Sequence, residues 1–339
     1  MPVTRRHLVA ASLLPALARP ALGQPRPTLR VQATSGLIEK TLREDIVPEW
    51  ERQHGATVAL TVDDDITMLP KLQVARNRPP YDVVMMDGDK AILGAGLGLW
   101  APSPAARLAN LGAIYESCKP PATAHFGCIV FEYALVYRTL RFDAPPVSWG
   151  DLWTPGLTVA VPHISQSYGM AFLLAAALLN GGDAANLDPG FAAIKRLPRF
   201  KIYRNVSEGL SLFQQGEVDA GMFYAHRAQG MIDAGLPVAK VVPREGSWGQ
   251  RTGLQLPQGG TNPELAAMWM DTVLGVPCQT ALARNLYSPT NRECSFPPDL
   301  GRKLLLGAAR VDAVREPPWA VLLPQRDAIL DKWNRDIGA

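Results

Sequence analysis

Short apolar runs alternate with longer segments of helical period along most of this chain, and that alternation constrains its fold more than any other feature. Leu29-Arg30-Val31-Gln32-Ala33 reads as a strand, followed by a helix over 37–53 in which Leu37, Ile38, Leu42, Ile46 and Trp50 share a face. Gly55 ends that helix, and the β-branched run 57–62 forms the next strand. Asp65 is placed to cap a helix over 66–76. The apolar run 81–86 predicts a third strand, and Asp87-Gly88-Asp89 opens another helix. Strands this apolar, each followed by a helix, point to parallel, doubly wound sheets covered on both faces.

The rhythm changes at 126–138, where Cys128-Ile129-Val130-Phe131 and Ala134-Leu135-Val136-Tyr137 flank the polar Glu132. These read as two strands crossing into a second lobe. There the pattern resumes, with strands expected at 158–161, 201–205, 218–224 and 239–243 and helices at 165–180 and 207–215. Gly253-Leu254-Gln255-Leu256-Pro257 reads as the return crossing, and helices at 262–274, 279–286 and 325–336 follow. The expected fold class is therefore α/β, with two doubly wound lobes joined by a two-strand hinge. Residues 28–130 plus 255–339 make lobe 1 and residues 131–254 make lobe 2. A chain of 339 residues has ample length for two such cores.

Charge narrows the function. The net charge is +3, without a stripe of Lys and Arg interleaved with aromatic residues, so nucleic acid is not an expected partner. Thr4-Arg5-Arg6-His7, the apolar stretch 8–18 and the small residues Ala21-Leu22-Gly23 have the three parts of an export signal over 1–23, with a twin-arginine pair. That apolar stretch falls short of the roughly 20 residues needed to span a bilayer. A periplasmic location is the resulting expectation. The four cysteines suit an oxidising compartment, either as local pairs 118–128 and 278–294, one of three connectivities, or as free buried thiols.

Four stretches carry a family resemblance. They are Met68-Leu69-Pro70-Lys71-Leu72 through Tyr81-Asp82-Val83-Val84, Val147-Ser148-Trp149-Gly150-Asp151-Leu152-Trp153, Gln215-Gly216-Glu217-Val218-Asp219-Ala220-Gly221, and Val242-Pro243-Arg244-Glu245-Gly246 with Thr261-Asn262-Pro263-Glu264-Leu265-Ala266. In order and spacing the mature chain resembles type 2 periplasmic solute-binding proteins of ABC importers, in the spermidine/putrescine-binding-like group. The resemblance implies a non-enzymatic, monomeric receptor without a cofactor, closing on a small-molecule ligand and delivering it to an ABC permease in the inner membrane.

In such a topology the ligand sits where strand ends from both lobes face each other. Thr34 and Ser35 head the first helix, either to hold an anion or as a plain cap. Asp64 and Asp87 end the second and third strands, and Asp87 occupies a position where relatives place a ligand-contacting Ser. Ser165, Ser167 and Tyr168 open the second-lobe helix, where polyamine-binding relatives carry an acid. Tyr224 matches an aromatic position that relatives stack on the ligand, with His226 either beside it in the site or structural. On the return crossing, polyamine binders have a Trp and an Asp where this chain has Gln250 and Thr252, and Arg251 adds a positive group. A polyamine would lack its paired anchors, and a buried unpaired ammonium costs several kcal/mol. The expected ligand is an anion or zwitterion, with its acid toward Arg251, Ser165 and Ser167 and its amine toward Asp87 and Tyr224. A polyamine or ferric-iron receptor of the same fold is the alternative. A hydrolase or transferase is remoter, because GxSxG, HExxH, P-loop and GxGxxG patterns are missing.

Overall fold

The computed structural model describes residues 26–63, 65–119 and 125–338. The expected export signal and Asp64 lie outside the described residues. In chain order the first elements are β1 (Thr28–Ala33), α1 (Leu37–Thr41), α2 (Val47–His54), β2 (Thr57–Val62), α3 (Asp65–Val74), β3 (Val84–Asp87) and α4 (Gly88–Gly96). A π-helical turn, Leu42–Ile46, joins α1 to α2. Pro48 follows it in the first turn of α2 and cannot donate to the carbonyl four residues back, which loosens the ladder there. Strands β1 and β2 pair in parallel from Thr28↔Thr57 to Ala33↔Val62, and Val83 joins β1 through a parallel bridge at Val31.

Next come β4 (Phe126–Arg138), β5 (Thr158–Pro162), α5 (Ser167–Leu179), α6 (Asp188–Lys195), β6 (Arg199–Tyr203), α7 (Val206–Gln214), β7 (Ala220–Tyr224), α8 (Ala225–Asp233), β8 (Val238–Val241) and β9 (Trp248–Gln255). The chain finishes with α9 (Pro263–Leu274), α10 (Val276–Arg284), β10 (Ser288–Pro289), α11 (Pro298–Gly301), α12 (Ala308–Val311), α13 (Trp319–Leu322) and α14 (Arg326–Asp336).

The organising strand is β4. It is one uninterrupted strand of 13 residues, where two were expected on either side of Glu132. Glu132 pairs in register with Gly249, so a polar side chain on one pleat does not break the ladder. A Cβ at Gly249 would sit 2.1 Å from the Phe131 carbonyl oxygen, which is why the partner strand carries glycine at this close approach. The first part of β4 pairs with β9 and β10, and the last part with β7 and β8. Beyond β9 lies antiparallel β3, and beyond β7 lie parallel β5 and β6, giving the order β3-β9-β4-β7-β5-β6. The return crossing thus begins at Trp248, earlier than the Gly253 start expected. The fold is two α/β lobes sharing the antiparallel pair β4–β9.

Packing corrects the expected placement of the C-terminal helix in lobe 1. Ile329 and Trp333 form the buried face of α14, and it is covered from the second lobe. Lys332 pairs with Asp188 of α6 at 2.5 Å, Lys195 with Asp336 at 3.3 Å, and the Trp333 ring lies 5.8 Å from His163. The local disulfides are not formed. Cys118, Cys128 and Cys278 are buried free thiols and Cys294 is a half-buried one.

Candidate functional site

Strand ends and helix starts from both lobes enclose a cavity of about 250 Å³ beside β4 and β9. Thr34 and Ser35 reach it from the end of β1, Asp87 and Lys90 from the β3–α4 junction, and Phe131 from β4. Ser165, Gln166, Ser167 and Tyr168 reach it from the start of α5, and Tyr224, His226 and Arg227 from the β7–α8 junction. Gln250 and Thr252 of β9, with Ile38, Val206 and Tyr287, complete the wall. Eight of the residues singled out from sequence therefore stand around one space: Thr34, Ser35, Asp87, Ser165, Ser167, Tyr168, Tyr224 and His226.

Arg251 is the correction. Successive side chains of a strand point to opposite faces, so a cavity lined by Gln250 and Thr252 excludes the residue between them. Arg251 is turned to the other side, where its guanidinium donates to the carbonyls of Val311 at 3.2 Å and Val314 at 3.3 Å. Its backbone N–H donates to Glu316 Oε1 at 2.6 Å, and Nη1 lies 3.8 Å from the same oxygen. Arg251 clamps the C-terminal segment to β9. That alternation was readable in the sequence and would have replaced Arg251 by Gln250 and Thr252.

Asp87 occupies the N-cap position of α4 without capping it through its side chain. Its carboxylate accepts a hydrogen bond from Thr252 Oγ1 at 2.5 Å. Burial, reinforced by the nearby charge of Asp89, pushes its pKa up to about 6. Asp89 is itself buried and pairs with Lys90 at 2.5 Å. From across the cleft, Ser167 Oγ donates to Asp89 at 2.9 Å and lies 3.5 Å from Lys90 Nζ. The two lobes thus meet in a small polar clasp at the cavity wall.

The opposite wall is aromatic. Phe131 lies 5.5 Å from Tyr224 and 5.8 Å from Tyr287 in edge-on geometry, and His226 is 5.1–5.4 Å from all three rings. Burial, with the Arg227 and Lys240 charges adding to it, holds the His226 pKa well below its usual value, so its imidazole is neutral at pH 7. Tyr133 donates to Gln250, which fixes that amide at the edge of the site. The sequence reading missed Lys90, Phe131, Arg227 and Tyr287. Lys90 stands one helical turn after Asp87, a spacing that could have pointed to it. Phe131 and Tyr287 carry no local signal.

Such a cavity, shared between lobes and lined by many polar and charged groups beside several aromatic rings, suits a small polar ligand. The model of the bacterial extracellular solute-binding proteins matches residues 45–300, and the chain belongs to that family. It is 25% identical over 197 residues to the spermidine/putrescine-binding periplasmic protein of Escherichia coli (strain K12), a match covering 57% of this chain and 53% of that protein. The chain thus spans about half the length of this curated relative. Among solved structures, an ABC transporter from Clostridium perfringens ATCC 13124 superposes with a TM-score of 0.80 at 22% identity, covering 91% of this chain and 100% of that one. An ABC transporter substrate-binding protein from Bradyrhizobium japonicum USDA 110 gives 0.76 at 21% identity, covering 92% and 100%.

Proposed function

We propose that this protein is the extracytoplasmic receptor of an ABC importer, capturing one small anionic or zwitterionic organic solute by closing its lobes and passing it to a membrane permease. The reading includes export on the signal at 1–23, a monomeric state and binding without turnover. One observation carries it: the cavity wall is divided between the lobes, with Asp87 and Lys90 on one side, Ser165–Tyr168 and Tyr224–Arg227 on the other, and the β4–β9 pair between them. Rotation about that pair opens or closes the space with each lobe moving as a near-rigid body. The solute-binding family and the likeness to ABC substrate-binding structures support the same assignment.

Asp87 is the one carboxylate among the described residues lining the cavity. It offers an amine a single anchor, which suits a zwitterion better than a diamine. The curated relative favours the second reading, a polyamine receptor. Thermal-shift screening of the mature protein against amino acids, amines, carboxylates, phosphate esters and ferric complexes separates the two. A true ligand at 100 times its Kd raises stability by about 2.7 kcal/mol. Calorimetry should give one site, and small-angle scattering should show compaction on binding. Spermidine as the sole hit would install the second reading, and chemical conversion of a hit would defeat both.

A further inference from the structure

The fixed charges around the cavity balance in number but not in pairing. Asp89 is matched by Lys90, and the Asp87 carboxylate accepts a hydrogen bond from Thr252. Arg227, in the first turn of α8, lines the same cavity and has no hydrogen-bond or ion-pair partner among the described residues. Two helices of 13 and 9 residues, α5 and α8, start on this wall, and neither has a side-chain cap on its first amides. Each contributes the positive end of its dipole there. The hydroxyl of Tyr168 is independent of those helix ends as a sign of something to be bound. Tyr168 is only 3% exposed, forms part of the cavity wall, and its oxygen has no partner. A buried hydroxyl left unsatisfied is costly, and an acceptor oxygen brought to it as the wall adjusts round a solute would relieve it.

Resting on the receptor reading above, we propose that the solute carries an anionic group held by Arg227 and the α5 and α8 helix starts, and that Arg227 decides between anionic or zwitterionic solutes and purely cationic ones. Arg227 is suited to that task because its planar guanidinium can present two N–H groups to the two oxygens of a carboxylate or phosphate. A dication would meet this unmatched positive charge with Asp87 alone to offset it.

Three four-carbon compounds that differ only at their ends test the assignment by titration calorimetry: succinate, 4-aminobutyrate and 1,4-diaminobutane, with inorganic phosphate as a fourth probe. The expected result is saturable binding of at least one of the anionic or zwitterionic probes and none of the diamine. Arg227→Gln should weaken that binding by about 10- to 100-fold, the range for losing a hydrogen-bonded charge partner. Arg227→Lys should recover part of it. The proposal is overturned if the diamine binds at least as tightly as the other probes, if none of the three anion-bearing probes binds, or if Arg227→Gln changes nothing. A wild-type protein that binds some neutral or cationic solute in the wider screen would sink this assignment and leave the receptor reading intact. The absence of any saturable solute there would sink the receptor reading itself.

Discussion

Asp87, which lines the cavity, is held in a state unfavourable to the empty protein. An unfolded aspartate titrates near 3.9, whereas burial holds this one at about 6. The folded state therefore favours the protonated acid. That stabilisation is complete below about pH 4 and is lost as the pH rises through 6. At pH 7.5 the ionised carboxylate costs the empty protein on the order of 3 kcal/mol. Asp87→Asn should accordingly melt higher than wild type at pH 7.5, with the gain shrinking toward zero at pH 4, and should bind amine-bearing solutes more weakly. An equal melting difference at both pH values would contradict this account.

Arg251 makes the opposite case, a charged residue beside the site that serves the scaffold. Replacing it with Met would leave the Val311 and Val314 carbonyls without their donor and Glu316 without its nearby cation. The expected cost is about 2–4 kcal/mol, read as a lower denaturation midpoint. Solute affinity should change far less than in Arg227→Gln.

At the scale of elements, the start of α5 joins the start of α4 through Ser167 and Asp89. Ser167→Ala removes that cross-cleft bond, worth about 1 kcal/mol, so the ligand-free protein should lose about that much stability and expand slightly in scattering. An unchanged denaturation midpoint would show that the bond adds nothing to the meeting of the lobes. Elements of this kind were largely legible in the residues. The apolar run at 57–62 and the helical spacing of Leu37, Ile38, Leu42, Ile46 and Trp50 announce β2 and the helical run from α1 to α2, because one-sided burial imposes a period that sequence preserves. Helices α6 and α8 went unread because Asp188–Lys195 and Ala225–Asp233, at 8 and 9 residues, give little more than two turns in which a period can show. The site was partly legible for a different reason. Strand ends point to the cleft by topology, so Asp87 and Tyr224 could be named, but Phe131 lies within a strand and Tyr287 on a connecting segment, and only tertiary packing brings them together.

At the scale of the molecule, the C-terminal stretch makes a third passage between the lobes after β4 and β9. Leu305 is held by Ser288 beside β10, Arg315 bonds back to Glu245 before β9, and α14 docks on α6. Trp333, fully buried at that docking, anchors the passage. Trp333→Ala should cost about 3–5 kcal/mol and widen the solution shape of the empty protein in scattering. A stable variant with unaltered scattering would show that α14 does not hold the lobes together. The β4 strand has a consequence for melting as well as for motion. Its single run of backbone is zipped to β9 at one end and to β7 and β8 at the other, so neither lobe can lose its sheet without fraying the other's. Heating should consequently give one calorimetric endotherm for the whole chain, where two independently folded halves would give two.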